Sequence, residues 1–254
     1  MARTCLLDID GVLTVSWKPL PGAVDTLHWM KAHGIRFGLV TNTSTRPRRE
    51  IAATLNEVGI EVGLPQIFSA VSSAARYLVT RYPGANCLVI NEGSLDEDLI
   101  GVELTRSGSP DVVLLGGAGA SVGYPELDRV FKLAVGGVPV VGLHRNTRFQ
   151  TADGLALDMG AFIVGLEQAA GIEIPVVGKP SADFFEAALF DLGADAAEAI
   201  MVGDDIDADV RGGQSVGMTG VLVKTGKFRE IDLHSDGQSP DYVLDDIQQL
   251  PGIL

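Results

Sequence analysis

A chain of 254 residues, 46% hydrophobic and 20% charged, can bury a sizeable core, and that composition excludes a disordered or fibrous protein. A formal net charge of −14 opposes nucleic acid and anionic membrane surfaces as partners, and a small anionic substrate then needs local positive charge. The cysteines, Cys5 and Cys87, lie far apart inside apolar stretches, so neither a disulfide framework nor a zinc site is expected, as fits a reducing cytoplasm.

The first element is the strand TCLLDI, an apolar run that stops on two acids, Asp8 and Asp10, and turns at Gly11. Asp8 also interrupts the N-terminal apolar run, and no later run reaches the ~18 residues of a membrane span. Neither export nor membrane insertion is expected, and the location expected is cytoplasmic. A helical period over Ala23–His33 leads to the strand RFGLVT and Asn42, and a second helix covers Arg48–Val58. Strands CLVIN, DVVLLGG and PVVGLH follow, with helices over Pro125–Val135 and Ala161–Ala170 among them. The strand PVVGK then precedes a helix over Ser181–Leu192, with Ser181 as its N-cap and Gly193 as its stop, and the strands AIMVGD and GVLVK come last.

Apolar runs alternating with helical segments predict βα units and a doubly wound, mainly parallel sheet, an α/β fold. Four of the strands end in polar residues: Asp8 and Asp10, Thr41 and Asn42, Lys179, and Asp204 and Asp205. In a parallel sheet these emerge together at the carboxyl edge, where open α/β sheets bind ligands. One helix and one strand separate Asp10 from Thr41, but the interval from Thr41 to Lys179 carries several of each. Residues 78–172 are therefore read as an inserted α/β cap domain, and residues 1–77 and 173–254 as the core.

Three carboxylates at one edge repel each other unless a cation lies among them, and a hard divalent ion held through oxygens, Mg²⁺, meets that need. With Lys179 and the Thr41 hydroxyl added, the set has the composition of a phosphoryl-transfer site. A lone Asp-x-Asp at a strand end is more often a turn; the weight lies in four such ends in order. Asp207 is read as a first-turn acid with no chemistry, and GGAGASVG (116–123) as a flexible turn rather than a nucleotide loop. His144, Arg145 and Arg148 follow the apolar run PVVGL and could reach down to the substrate, but solvated loop residues are the preferred reading.

DIDGVLT, LVTNTS, VVGKPS and MVGDDIDADV resemble, in order, the four motifs of the haloacid dehalogenase superfamily of phosphohydrolases. The insert after the second motif resembles the subfamily with a large α/β cap, the p-nitrophenyl phosphatase-like branch, and VVGKPSADFFEAAL through GGQSVGMTGVLVKTGKFR resembles the phospholysine phosphohistidine inorganic pyrophosphate phosphatase group. The resemblance implies that Asp8 is the nucleophile and Asp10 the general acid and base. It implies Mg²⁺ held by Asp8, the Asp10 carbonyl and Asp204. Phosphate oxygens fall to Thr41, Asn42 and Lys179, with Asp209 and Asp205 supporting from behind. It implies a small phosphorylated metabolite as substrate and, as capped members often show, a homodimer through the cap. Two alternatives stand beside the phosphatase: a dehalogenase or phosphomutase of the same superfamily, and a non-catalytic or phosphotransfer module of regulatory type. A dehalogenase needs no acid at Asp10, and chain length, the inserted cap and that same acid count against the regulatory module.

Overall fold

The computed structural model describes residues 4–151, 154–234 and 236–254. The chain begins with β1 (Thr4–Asp8), the two-residue strands β2 (Thr14–Val15) and β3 (Lys18–Pro19), α1 (Ala23–Ala32), β4 (Arg36–Thr41), α2 (Arg48–Glu57) and β5 (Ile67–Ser69). Next come α3 (Ala70–Arg81), β6 (Asn86–Ile90), β7 (Glu103–Thr105), β8 (Val112–Leu115), α4 (Tyr124–Val135), β9 (Val140–Gly142), β10 (Arg148–Thr151), β11 (Gly154–Leu157) and α5 (Met159–Ala170). The chain continues through α6 (Ala182–Leu192), β12 (Ala199–Gly203), α7 (Gly212–Ser215), β13 (Thr219–Val223) and β14 (Tyr242–Leu244). It divides into two compact units: Met1–Thr41, Arg48–Phe68 and Lys179–Leu254 form the first, Asn42–Pro47 and Ser69–Gly178 the second.

The first unit is built on a sheet of order β14-β13-β12-β1-β4-β5. β1 pairs in parallel with β12 on one side and β4 on the other, and β12, β13 and β14 continue in parallel. The strand order thus runs outward from β1 in both directions and reverses between β1 and β12, the kind of switch point at which such sheets bind ligands. Every residue of β1 and β12 is buried, which is why both read as continuous apolar runs. Side chains alternate between faces. Cys5, Leu7, Leu39 and Val202 join Leu27 and Met30 of α1 and Ile51 and Leu55 of α2 in one core; Leu6, Val40 and Met201 join Phe184, Phe185 and Leu189 of α6 in another. Each such side chain, fully buried, contributes about 1.5–3 kcal/mol of transfer free energy. Helix α6 has Ser181 at its N-cap but no side-chain cap bond, and it stops at Gly193 with φ 58, a left-handed conformation that suits glycine.

The second unit carries its own sheet, β7-β6-β8-β9, with every adjacent pair parallel. One core contains Val71, Ala74 and Leu78 of α3; another contains Val130 of α4 with Ile163 and Leu166 of α5. The unit's limits differ from the expected 77/78 and 172/173. Leu78 lies in the middle of α3, which is capped at Ser69 by a bond from the Ser72 amide, and a boundary there cuts one packed helix in two. At the other end, PVVGK is not a strand. It makes a single bridge, Val176 to Gly142, and the Val177 and Gly178 amides donate to the Gly142 and Leu143 carbonyls, so the segment belongs to the second unit and Lys179 opens the next stretch of the first.

Candidate active site

Asp8 is the last residue of β1, and β1 and β4 run in register so that Asp8 faces Val40, one residue before Thr41. β12 ends at Gly203 and releases Asp204 at the same edge. After Asp8 the chain turns sharply: the Leu13 and Thr14 amides donate to the Ile9 carbonyl and the Gly11 amide to the Thr14 carbonyl. Gly11 takes φ +91 there, a conformation that strains any residue with a Cβ. Asp10 lies on this turn, half-buried and bridged to Thr14.

Asp8, Lys179, Asp204 and Asp209 are all buried. The Lys179 ammonium donates to Asp8 Oδ1 at 2.7 Å and to Asp209 Oδ1 at 2.6 Å. Carboxylate oxygens of Asp8, Asp204 and Asp209 all lie within 4.8 Å of one another. Asp209 reaches this position from a stretch of π-helix, Ile206–Arg211, whose wider turn follows Asp205 directly. A Cβ on Gly203 would lie 2.0 Å from Asp209 Cβ, so the close approach needs that glycine. Asp209 Oδ2 accepts the Asp205 amide at 3.2 Å. Asp205 Oδ1 accepts the amides of Asp207 and Ala208 and so caps the π-helix.

Burial raises the Asp8 carboxyl above its ordinary range, against the pull of Lys179. Burial, then repulsion from Asp8 and Asp209, pushes Asp204 up to about 8, and burial with Asp8 pushes Asp209 up to about 7. Burial disfavours the charged form of Lys179, but Asp209 and Asp8 overcome it and hold the ammonium charged. Three acids face the buried Lys179 ammonium and the charge of Lys227, and they are still raised; a further source of positive charge is what would let all of them ionise at neutral pH.

Mg²⁺ fits this set. Asp209 has both oxygens committed and Asp8 has one on Lys179, but the buried Asp204 Oδ1 has no hydrogen-bond partner. An orphaned carboxylate oxygen beside a second carboxylate is the donor chemistry a hard cation takes.

The site therefore unites Asp8, Lys179, Asp204 and Asp209, with Asp205 capping behind and Thr41 ending β4. Asn42 begins the second unit. Lys227 was not among the expected residues: its amide donates to Asp204 Oδ2 at 2.6 Å. Burial lowers the Lys227 ammonium, yet Asp204, Asp8, Asp209 and Asp205 raise it on balance, so its charge belongs to the same electrostatic set. No residue pattern signals it, since the contact is made by a backbone amide in the loop after GVLVK. His144 is buried rather than solvated, 3.8 Å from Asp158, and Arg145 is paired with Glu167. The loop GGAGASVG is pinned: Asn91 Oδ1 accepts the Gly117 amide, and Glu92 accepts the amide and hydroxyl of Ser121. Burial pushes the thiols of Cys5 and Cys87 to about 12 and about 11, which leaves them chemically quiet. Among the described residues no helix is long and apolar enough to cross a membrane.

Residues 5–105 match the haloacid dehalogenase-like hydrolase family, and residues 176–250 match the HAD-hydrolase-like family. The chain is 34% identical over 230 residues to mouse haloacid dehalogenase-like hydrolase domain-containing protein 2, covering 91% of this chain and 87% of that one. It is 32% identical over 265 residues to rat phospholysine phosphohistidine inorganic pyrophosphate phosphatase, covering 99% and 94%. Among solved structures, p-nitrophenyl phosphatase from Archaeoglobus fulgidus superposes with a TM-score of 0.92 at 30% identity, over 100% of this chain and 99% of that one. A glycerol phosphate phosphatase from Mycobacterium tuberculosis in complex with magnesium superposes with a TM-score of 0.87 at 26% identity, over 98% and 76%. The chain belongs to the haloacid dehalogenase-like hydrolases and is a phosphohydrolase.

Proposed function

We propose that this protein hydrolyses a small phosphorylated metabolite through an aspartyl-phosphate on Asp8, with Mg²⁺ as cofactor. The observation that carries the reading is the buried ion pair of Asp8 with Lys179 beside Asp204, whose Oδ1 has no partner. Asp8 and Asp204, with the Asp10 carbonyl, would hold the ion. When bound, Mg²⁺ offsets the negative charge of the carboxylates and of the phosphoryl group.

In this reading an Asp8 oxygen attacks phosphorus while the bond to the leaving oxygen breaks, and the Asp10 carboxyl gives that oxygen its proton. The Asp10 carboxylate then takes a proton from water, the resulting hydroxyl bonds to phosphorus, and the Asp8–phosphorus bond breaks to release inorganic phosphate. Lys179 orients Asp8 and offsets charge on the transferring group, with Thr41 and Asn42 donating to its oxygens. Asp209 holds Lys179 in place. These groups act only on the phosphoryl group, so we assign selection of the remaining substrate to the inserted unit.

The experiment is hydrolysis of p-nitrophenyl phosphate by chelator-treated protein with and without Mg²⁺. The expected result is turnover that EDTA abolishes and Mg²⁺ restores; undiminished hydrolysis in metal-free buffer would overturn the cofactor.

A further inference from the structure

The loop after β13 presses on Asp204 from the side away from its orphaned oxygen. Lys227 donates its amide to Asp204 Oδ2 at 2.6 Å, and the Thr225 hydroxyl donates to the Gly11 carbonyl on the turn after β1. Between them Gly226 takes φ +58, and a Cβ there would lie 2.0 Å from Asp204 Oδ2 and 2.5 Å from Gly11 Cα. A Cβ on Gly11 would meet the same oxygen at 2.0 Å. Two backbones, both bare of side chains, thus close on one carboxylate oxygen, while Asp204 Oδ1 stays buried and unpartnered.

We propose that Thr225, Gly226 and Lys227 form a positioning clip for Asp204: the clip holds Oδ2 and thereby aims Oδ1 at the divalent cation. The proposal rests on the Mg²⁺ reading above. A carboxylate with one oxygen fixed has a single orientation to offer, and outer partners of this kind set ligand geometry and metal affinity. Lys227 acts here through its amide, not its ammonium. The physical reason for Thr-Gly-Lys at this point is then specific: a hydroxyl to anchor the loop to the β1 turn, a glycine for the left-handed close approach, and an amide directed at Asp204.

The test is calorimetric titration of Mg²⁺ into chelator-treated full-length protein: wild type, Thr225→Val, Gly226→Ala and Lys227→Ala. Thr225→Val keeps the side-chain shape without the hydroxyl, and Gly226→Ala drives a methyl against Asp204. Both are expected to weaken Mg²⁺ binding by about 10–100-fold. The metal-free melting temperature of Thr225→Val should change by no more than about 4 °C, as for one lost surface-loop hydrogen bond in a chain of this size. Lys227→Ala keeps the amide and removes a cation, so its affinity should hold or rise. Wild type that binds Mg²⁺, with equal affinity in Thr225→Val and in any folded Gly226→Ala, overturns the clip alone; if Gly226→Ala does not fold, Thr225→Val decides. Wild type that binds no Mg²⁺ overturns the cofactor reading and the clip with it.

Discussion

Lys179 carries the electrostatics of this site, because it is the ammonium bonded to two buried carboxylates, at 2.7 Å and 2.6 Å. Replacing it by methionine leaves Asp8 and Asp209 without their cation, and breaking a buried pair in this way costs about 3–5 kcal/mol. Urea unfolding of Lys179→Met should show that loss at pH 8. At pH 5 the loss should be smaller, since both carboxyls are already raised by burial and take up a proton once the ammonium is gone. An equal loss at both pH values would contradict the assignment of the two acids as its partners. Asp8, Lys179 and Asp204 were legible in the sequence because each follows an apolar run or a proline-flanked turn, and polar residues at strand ends stand out there. Lys227 was not, since it contributes a backbone amide, and every residue but proline has one. Asp209 was visible as an acid, but its direct bond to Lys179 depends on a π-turn that no residue pattern announces.

That π-turn is the element on which the site depends most. Ile206–Arg211 widens by one residue so that Asp209, four positions after Asp205, folds back over Gly203. Gly203→Ala would force Asp209 away by occupying its place, and displacement of about 1 Å in a catalytic set can cost about 10²-fold. Steady-state kinetics of a folded Gly203→Ala protein should show a loss of that order in kcat/KM for p-nitrophenyl phosphate; wild-type kinetics would mean that Asp209 is not needed to hold Lys179. The parallel strands β1, β4, β8, β12 and β13 were all legible, because strands buried on both faces must be apolar throughout. PVVGK has the same apolar content yet forms one bridge only: Pro175 has no amide to donate, and Gly178 adds no side-chain surface to a ladder. Helix α3 escaped notice because AVSSAARYLVTR buries mostly alanines and its cap is Ser69 with Ser72, a weaker signal than a serine and a glutamate.

At the scale of the molecule, the raised acids couple stability to pH and metal. A carboxyl whose folded pKa lies above its unfolded value stabilises the fold below the unfolded pKa, and that contribution is lost as pH rises through the folded one. For Asp204 and Asp209 the window runs from 3.8 to about 8 and about 7, so the metal-free protein should lose stability from these groups as pH climbs through it. Mg²⁺ competes with protons for the same oxygens, and at 100 times its dissociation constant a ligand adds about 2.7 kcal/mol. The rise in melting temperature on adding Mg²⁺ should therefore grow between pH 5 and pH 8; a rise independent of pH would separate the ion from these carboxylates. The two-unit division was legible as a long interval between Thr41 and Lys179, but its limits were not. They lie at Ser69 and Gly178 because α3 and the Pro175–Gly178 segment pack or bond within the second unit, a property of tertiary contacts and not of composition.

The claim on which the rest depends is that Asp8 is the nucleophile and Asp10 its acid and base, and one measurement reaches both. Rapid-quench kinetics and intact-protein mass spectrometry are applied to Asp10→Asn and Asp8→Asn with p-nitrophenyl phosphate and Mg²⁺. The leaving group needs little protonation, so Asp10→Asn should release at most one p-nitrophenol per active site and accumulate protein about 80 Da heavier, the mass of one phosphoryl group. Asp8→Asn should show neither, with turnover reduced beyond the roughly 10²–10⁴-fold expected for losing one general acid–base group. Steady turnover by Asp10→Asn at the wild-type rate, or a phosphorylated Asp8→Asn protein, would contradict the account.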